Sequence, residues 1–273
     1  MSTLNQSLAI GPVGISLSQL LIMFALAIAL IVGAFVGRRY KTAVSDTLFN
    51  VLLVSVAGAR LVFVVRYHEA YDGLLAMVDI RDGGFDVIGG LLFGLAWVAW
   101  ALWRSPKQRK PLSYALGAGI MTWGLTAGSL VLLDEQSRPI PETPLWTMDG
   151  EPISLSGLSQ TEAKPLVVNL WATWCPPCRR EMPVFEAVQQ DEKDITFVFV
   201  NQGEDSARIE RYLQAESLSL ANVLLDPELA VGEQTGAMAM PTTLFYDAEG
   251  QLVDTHFGEL SRATLERGLE PLR

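Results

Sequence analysis

Only two cysteines and two histidines occur among the 273 residues, and Asp, Glu, Lys and Arg together make up 18%. Two cysteines allow at most one internal disulfide, which excludes a disulfide-built scaffold. With no second Cys pair and the histidines far apart, no structural zinc site and no metal or other cofactor is expected. Such a low charged fraction does not suit a chain that is soluble throughout. No Lys or Arg stands before residue 17, and the apolar run that starts there is longer than the core of a cleavable leader. A retained membrane helix is the expectation.

The charge that is present is unevenly divided. Residues 1–133 carry 10 Lys/Arg and 6 Asp/Glu, a net of +4, and residues 134–273 carry 10 and 24, a net of −14. A basic, apolar half therefore precedes an acidic one. An acidic domain repels nucleic acid, so no such partner is expected.

Four apolar stretches in the first half, 17–37, 45–65, 85–103 and 112–133, reach the ~20 residues that a helix needs to cross a bilayer. Arg38, Arg39 and Lys41 lie between the first two, and Arg104, Lys107, Arg109 and Lys110 between the last two. The remaining loop carries Glu69, Asp72, Asp79 and Asp82, with Arg66 and Arg81 at its edges. The positive-inside rule places the basic loops in the cytoplasm, with the N-terminus and everything after residue 133 outside. Arg60 and Asp86 are ionisable groups within or beside these stretches. Such groups default to a functional role, although snorkelling of Arg60 or a pairing of the two serves as well. Residues 134–144 hold three prolines in a polar run and read as a semi-stiff spacer.

From residue 145 the pattern changes to strands alternating with helices. Segments 145–147 and 152–155 flank the turn pair Asp149-Gly150. Runs 165–171 and 195–200 are continuously apolar, as in strands buried on both faces. Segments 177–190 and 205–215 read as helices, 242–247 and 251–257 as a terminal hairpin, and Ser261 as the cap of a last helix. The result is an α/β domain with a mixed central sheet.

Both cysteines, Cys175 and Cys178, sit together in Trp-Ala-Thr-Trp-Cys-Pro-Pro-Cys, where an apolar strand meets a helix. The helix N-terminus stabilises an anion on Cys175 through unpaired N–H groups and the macrodipole. Cys178, in the first turn, is the natural resolving thiol. Pro176 and Pro177 preset the helix entry. A purely structural disulfide is the alternative, but it would close a loop of two intervening residues and constrain the unfolded chain little. Trp174 offers an apolar wall that suits a polypeptide. Arg179 and Arg180 favour a thiolate or form a solvated face.

The run Val-Val-Asn-Leu-Trp-Ala-Thr-Trp-Cys-Pro-Pro-Cys-Arg-Arg-Glu-Met-Pro, 167–183, with Met240-Pro241-Thr242-Thr243-Leu244 downstream, resembles the TlpA/ResA branch of the thioredoxin-like superfamily. The resemblance spans about 140–273. It implies a cis Pro241 against the Cys pair, substrate contacts at Trp174, Pro176, Pro177, Met240 and Pro241, and Glu181 as the acid/base for the resolving thiol. A solvated helix glutamate is the alternative for Glu181. Asn169 stands where thioredoxin has a buried aspartate, and an amide takes no proton. The resemblance also implies a reductase of protein disulfides outside the cytoplasm, with cytochrome c maturation or metallochaperone thiols as possible clients. Its electrons would come from a transmembrane reductant of the CcdA or DsbD kind.

In the first half, Gly11-Pro12, Gly58-Ala59-Arg60-Leu61 and Gly83-Gly84-Phe85-Asp86-Val87-Ile88-Gly89-Gly90-Leu91 resemble prolipoprotein diacylglyceryl transferase over about 10–105. That family has a histidine where Ile88 stands, and its later arginine-bearing motif has no counterpart. An isoleucine moves no proton, so no acyl transfer is expected. The expected protein is a four-helix transmembrane domain (1–133), a linker (134–144) and a thioredoxin-like α/β domain (145–273) held at the periplasmic face of a bacterial inner membrane. The alternatives are an oxidase or isomerase using the same cysteines, or a non-redox membrane or lipid-modifying protein.

Overall fold

A computed structural model describes residues 7–10, 13–71, 73–133 and 139–273. The Gly11-Pro12 motif and residues 134–138 of the spacer lie outside the described residues. Two compact units emerge, one built on Ser18–Val78 and Gly84–Asp134 and the other mainly on Glu135–Arg273.

The chain opens with a short antiparallel pair, β1 (Ser7–Ile10) and β2 (Val13–Ser16). The helical unit follows, with α1 (Leu17–Tyr40), α2 (Ser45–Arg66), the short α3 (Leu74–Val78), α4 (Val87–Arg104) and α5 (Arg109–Leu133). Glycines let α2 and α4 approach closely. A Cβ on Gly58 would lie 2.4 Å from the Phe93 ring. Small residues at a helix contact allow this in a membrane, where no hydrophobic force brings helices together. At the other end of the unit Leu112 and Ala115 of α5 pack with Val44, Leu48 and Ala101.

Three of the four expected spans are long and apolar enough to cross a membrane among the described residues: α1, α2 and α4. The fourth stretch forms a helix, α5, but is not one of the three. Two of its small residues face neighbours: Ala115 lies 3.2 Å from the Cβ position of Gly33, and Ala29 lies 3.1 Å from that of Gly119.

The second unit is built on β3 (Pro144–Thr147), β4 (Pro152–Ser154), α6 (Leu155–Glu162), β5 (Leu166–Trp171), α7 (Pro176–Asp191), β6 (Thr196–Gln202), α8 (Ser206–Ala215), β7 (Val223–Asp226), α9 (Ala230–Thr235), β8 (Thr242–Tyr246), β9 (Leu252–Phe257) and α10 (Arg262–Leu269). Among the described residues its strands form one sheet in the order β4-β3-β7-β6-β5-β8-β9. The three central strands β7, β6 and β5 are parallel, and the outer ones are antiparallel. This is the mixed sheet of a thioredoxin-like fold.

Alternation along β5 sorts its side chains onto two faces. Leu166, Val168 and Leu170 join the core that includes Leu155 of α6 and Val231 of α9. Val167 and Trp171 join the core formed with Met182, Phe185 and Val188 of α7, Ile209 of α8, and Leu265 and Leu269 of α10. Asn169 has the parity of Val167 and Trp171, so strand geometry alone directs its amide toward α7.

Candidate active site

Strand β5 ends at Trp171, and the turn that follows brings the chain to α7. Cys175 N donates to Ala172 O at 3.2 Å, which closes that turn. Cys175 is the N-cap of α7, and its Sγ accepts from Cys178 N at 3.3 Å. Pro176 and Pro177 fill the first two helical positions, where the missing donors have no intrahelical acceptor. Cys175 and Cys178 form a disulfide, with Sγ atoms 2.10 Å and Cα atoms 5.3 Å apart. Cys175 is 3% exposed and Cys178 is 0% exposed, so the first sulfur is the one an incoming group meets. Trp174 beside it is 58% exposed, Pro176 is exposed and Pro177 half-buried.

Met240–Pro241 is a cis peptide bond. Met240 packs on the core that contains Trp171 and both cysteines, and Pro241 is buried at the start of β8. The sulfur pair, Trp171 and Met240 thus belong to one cluster.

Glu181 lies one helical turn beyond Cys178 and is fully buried. Its Oε1 accepts from Asn169 Nδ2 at 2.8 Å, and its Oε2 from Leu260 N at 2.9 Å. Asn169 Nδ2 also donates to Thr243 Oγ1 at 3.1 Å. Burial pushes the Glu181 carboxyl up to about 8, against the two hydrogen bonds, which favour the carboxylate. Such a group holds its proton at neutral pH and can release it only slightly above.

A second buried carboxylate was not singled out from the sequence. Glu204 follows β6 and accepts from Thr173 N at 2.7 Å, Thr173 Oγ1 at 2.6 Å and Asn201 Nδ2 at 2.9 Å. Arg208 on α8 pairs with it at 2.8 Å. Glu204 therefore holds the turn that carries Trp174 and Cys175. The signal available in the sequence was a glutamate directly after a buried strand and a glycine, one turn before Arg208.

Comparison with known proteins bears on this geometry. The Redoxin family model matches residues 135–269. Thioredoxin-like protein YneN of Bacillus subtilis is 28% identical over 138 residues, which is 50% of this chain and 79% of YneN. Thiol-disulfide oxidoreductase ResA of Halalkalibacterium halodurans is 30% identical over 128 residues, covering 46% of this chain and 70% of that protein. The chain belongs to the ResA-type thiol–disulfide oxidoreductases. Thiol:disulfide interchange protein DsbE of Escherichia coli is 28% identical over 135 residues, 50% of this chain and 72% of DsbE. This ResA-type protein is thus a protein-disulfide redox enzyme whose substrates are polypeptides with cysteines, joined to a first half that holds helices able to cross a bilayer.

In that first half the prolipoprotein diacylglyceryl transferase family model matches residues 6–130, further than the 10–105 expected. Arg60 and Asp86 lie here, in the helical unit. Arg60 Nε donates to Met77 O at 3.1 Å and Nη1 to Gly84 O at 2.8 Å, with its guanidinium 5.5 Å from the Tyr71 ring centre. Asp86 caps α4, its Oδ1 accepting from Gly89 N at 2.6 Å, while its own N–H donates to Ala59 O. The two groups thus tie α2 to the segment that enters α4. Ile88 is exposed in the first turn of α4.

Proposed function

We propose that this ResA-type protein is a reductase of protein disulfides at the periplasmic face of a bacterial inner membrane. The observation that carries the direction is the buried carboxyl of Glu181 one turn from Cys178. The strongest disulfide oxidants stabilise their thiolate and hence their reduced form. A buried acid beside the resolving sulfur does the opposite: once ionised, it opposes a second negative charge nearby. The disulfide is favoured, so the dithiol is a reductant.

In the forward reaction the Cys175 thiolate, at the N-terminus of α7, attacks one sulfur of a substrate disulfide. That S–S bond breaks, one substrate thiolate leaves, and a mixed disulfide forms. Glu181 as carboxylate takes the proton of Cys178, whose thiolate then attacks Cys175 Sγ and releases the second substrate sulfur. The substrate gains two electrons from the cysteine pair, the Cys178 proton passes to Glu181, and the two departing substrate thiolates take up protons from Glu181 and solvent. A carboxyl that titrates near 8 suits proton transfer close to neutral pH. Trp174, Pro176, Pro177 and the Met240-Pro241 segment form the surface that receives the substrate chain.

The first half places this chemistry. With the basic loops 38–41 and 104–110 inside, the redox domain lies outside if α5 crosses as well, with small residues at its contact with α1. Residues 134–144 act as the spacer. No acyl transfer occurs there, because Ile88 stands at the position of the family's histidine. Clients include cytochrome c precursors or metallochaperone thiols, and a transmembrane reductant of the CcdA or DsbD kind restores the dithiol.

The test is the resting state of Cys175 and Cys178 in cells, read by acid quenching and alkylation with a mass-tagged maleimide. A mostly dithiol population supports the reductase. A mostly disulfide population in cells with an intact electron supply turns the reading to an oxidase.

A further inference from the structure

A cleft of about 500 Å³ opens beside the disulfide, lined by Thr173, Trp174, Arg179, Arg208, Arg211 and Tyr212. Three of these six side chains are guanidinium groups, in a half of the chain whose net charge is −14. The net charge of this half repels acidic partners, whereas a cluster of guanidinium groups attracts them.

The three arginines are not equivalent. Arg179 pairs with Glu216 and lies 5.4 Å from the Tyr212 ring centre. Arg208 pairs with Glu204, the residue that holds the Thr173 turn. Arg211 donates Nε only to Ala207 O of its own helix and has no carboxylate partner among the described residues. One positive charge in the cleft is therefore uncompensated, and it sits on α8, which is fixed in the core through Ile209. Trp174 adds an exposed indole that immediately precedes Cys175.

We infer that this cleft is a specificity subsite for an acidic side chain of the substrate polypeptide, close in its sequence to the cysteine that exchanges with Cys175. The inference rests on the thiol–disulfide exchange proposed above but not on its direction. Arg211 supplies the free guanidinium, which binds a carboxylate through two parallel N–H donors. Arg179 and Arg208 add to the potential, and Trp174 covers the apolar part of the neighbouring residues. A polypeptide is the committed occupant because Trp174 and Arg179 of the lining flank Cys175 and Cys178 in the chain, so a peptide segment can fill the cleft while its cysteine meets Cys175.

The test compares two cystine peptides that differ only in Glu against Gln beside one cysteine, with the full-length protein in a neutral detergent. The Glu peptide is expected to show kcat/KM about tenfold higher at low salt, and the ratio falls at physiological ionic strength. Arg211→Gln brings the ratio close to one, and Arg211→Glu inverts it. Because the readout is a ratio within each protein, a general loss of activity does not imitate the result. Equal kcat/KM for the two peptides overturns the subsite and leaves the exchange chemistry standing. A ratio that both Arg211 variants leave intact overturns the assignment to this cleft. Exchange with neither peptide overturns the redox reading and the subsite with it.

Discussion

Asn169 on β5 donates its amide hydrogen to Glu181 on α7 across 2.8 Å, inside a core where neither residue is exposed. The bond favours the carboxylate, and burial opposes it more strongly. Asn169→Ala therefore pushes the Glu181 carboxyl higher still and moves the alkaline limb of the exchange rate to higher pH. Glu181→Gln removes that limb. The check is the pH profile of single-turnover exchange for the three proteins. An unchanged profile in Glu181→Gln removes the residue from proton transfer.

The same shift makes a stability statement. With the folded value near 8 and the unfolded value near 4.5, the folded state keeps a proton that the unfolded chain has lost between those limits. The contribution of this group falls as pH rises through this window, by about 1.4 kcal/mol per unit. Glu181→Gln abolishes the fall between pH 6.5 and 8, which denaturant midpoints of the oxidised protein would show.

His256 on β9 acts in the opposite sense. Burial, then the nearby Arg267 charge, holds its imidazole down at about 4, against 6.5 for the free side chain. Below 6.5 the unfolded chain binds a proton that the folded state refuses, so stability is lost as pH falls from 6.5 to 4. Between 4.5 and 6.5 the two slopes oppose each other and the midpoint should be nearly flat. His256→Gln exposes the Glu181 slope in that interval. A wild-type midpoint that already falls across this interval, unchanged in His256→Gln, would show that His256 titrates normally in the fold.

Much of this arrangement was legible in the sequence, for local reasons. The Asp149-Gly150 turn pair marked the β3–β4 hairpin, and Ser261 forms a reciprocal capping box with Thr264 at the start of α10. The continuous apolar runs gave the central strands β5 and β6. Helix α6 was missed because Ser154–Glu162 is polar, and only Leu155 and Leu158 of α6 meet the core. The Glu181–Asn169 and Glu204–Thr173 bonds join residues 12 and 31 positions apart. Spacing along one element says nothing about a partner on another. Parity along β5 could have pointed Asn169 at α7. No comparable rule singles out Glu204.

Gly58 tests the helical unit. Its missing Cβ would meet the Phe93 ring at 2.4 Å, closer than any side chain can tolerate. Gly58→Val must separate α2 from α4 or displace the ring, at a cost of about 1–3 kcal/mol. Heating in detergent should unfold the helical unit of the variant earlier. The exchange rate on a soluble peptide should stay unchanged, because the disulfide and Glu181 lie in the other unit. An equally stable variant would show that α2 and α4 do not pack through this glycine.

Electron supply gives the last prediction. On the proposed reductase reading, each turnover leaves Cys175 and Cys178 as a disulfide, and two electrons must return before the next. The chain has no other cysteine, so its first half holds no thiol that could carry electrons across the bilayer. Nor can Glu181 help, since a carboxyl group carries no electrons. Exchange with a free dithiol outside restores the pair, but in an oxidising compartment none persists. Purified protein in sealed vesicles, with a reductant only on the opposite side, should therefore stay oxidised. Adding membranes that contain a cysteine-bearing transmembrane reductant should return the thiols within the time of the assay. Recovery without that addition would mean that electrons cross through the helical unit by a route that needs no sulfur, and the requirement for a separate donor would fall.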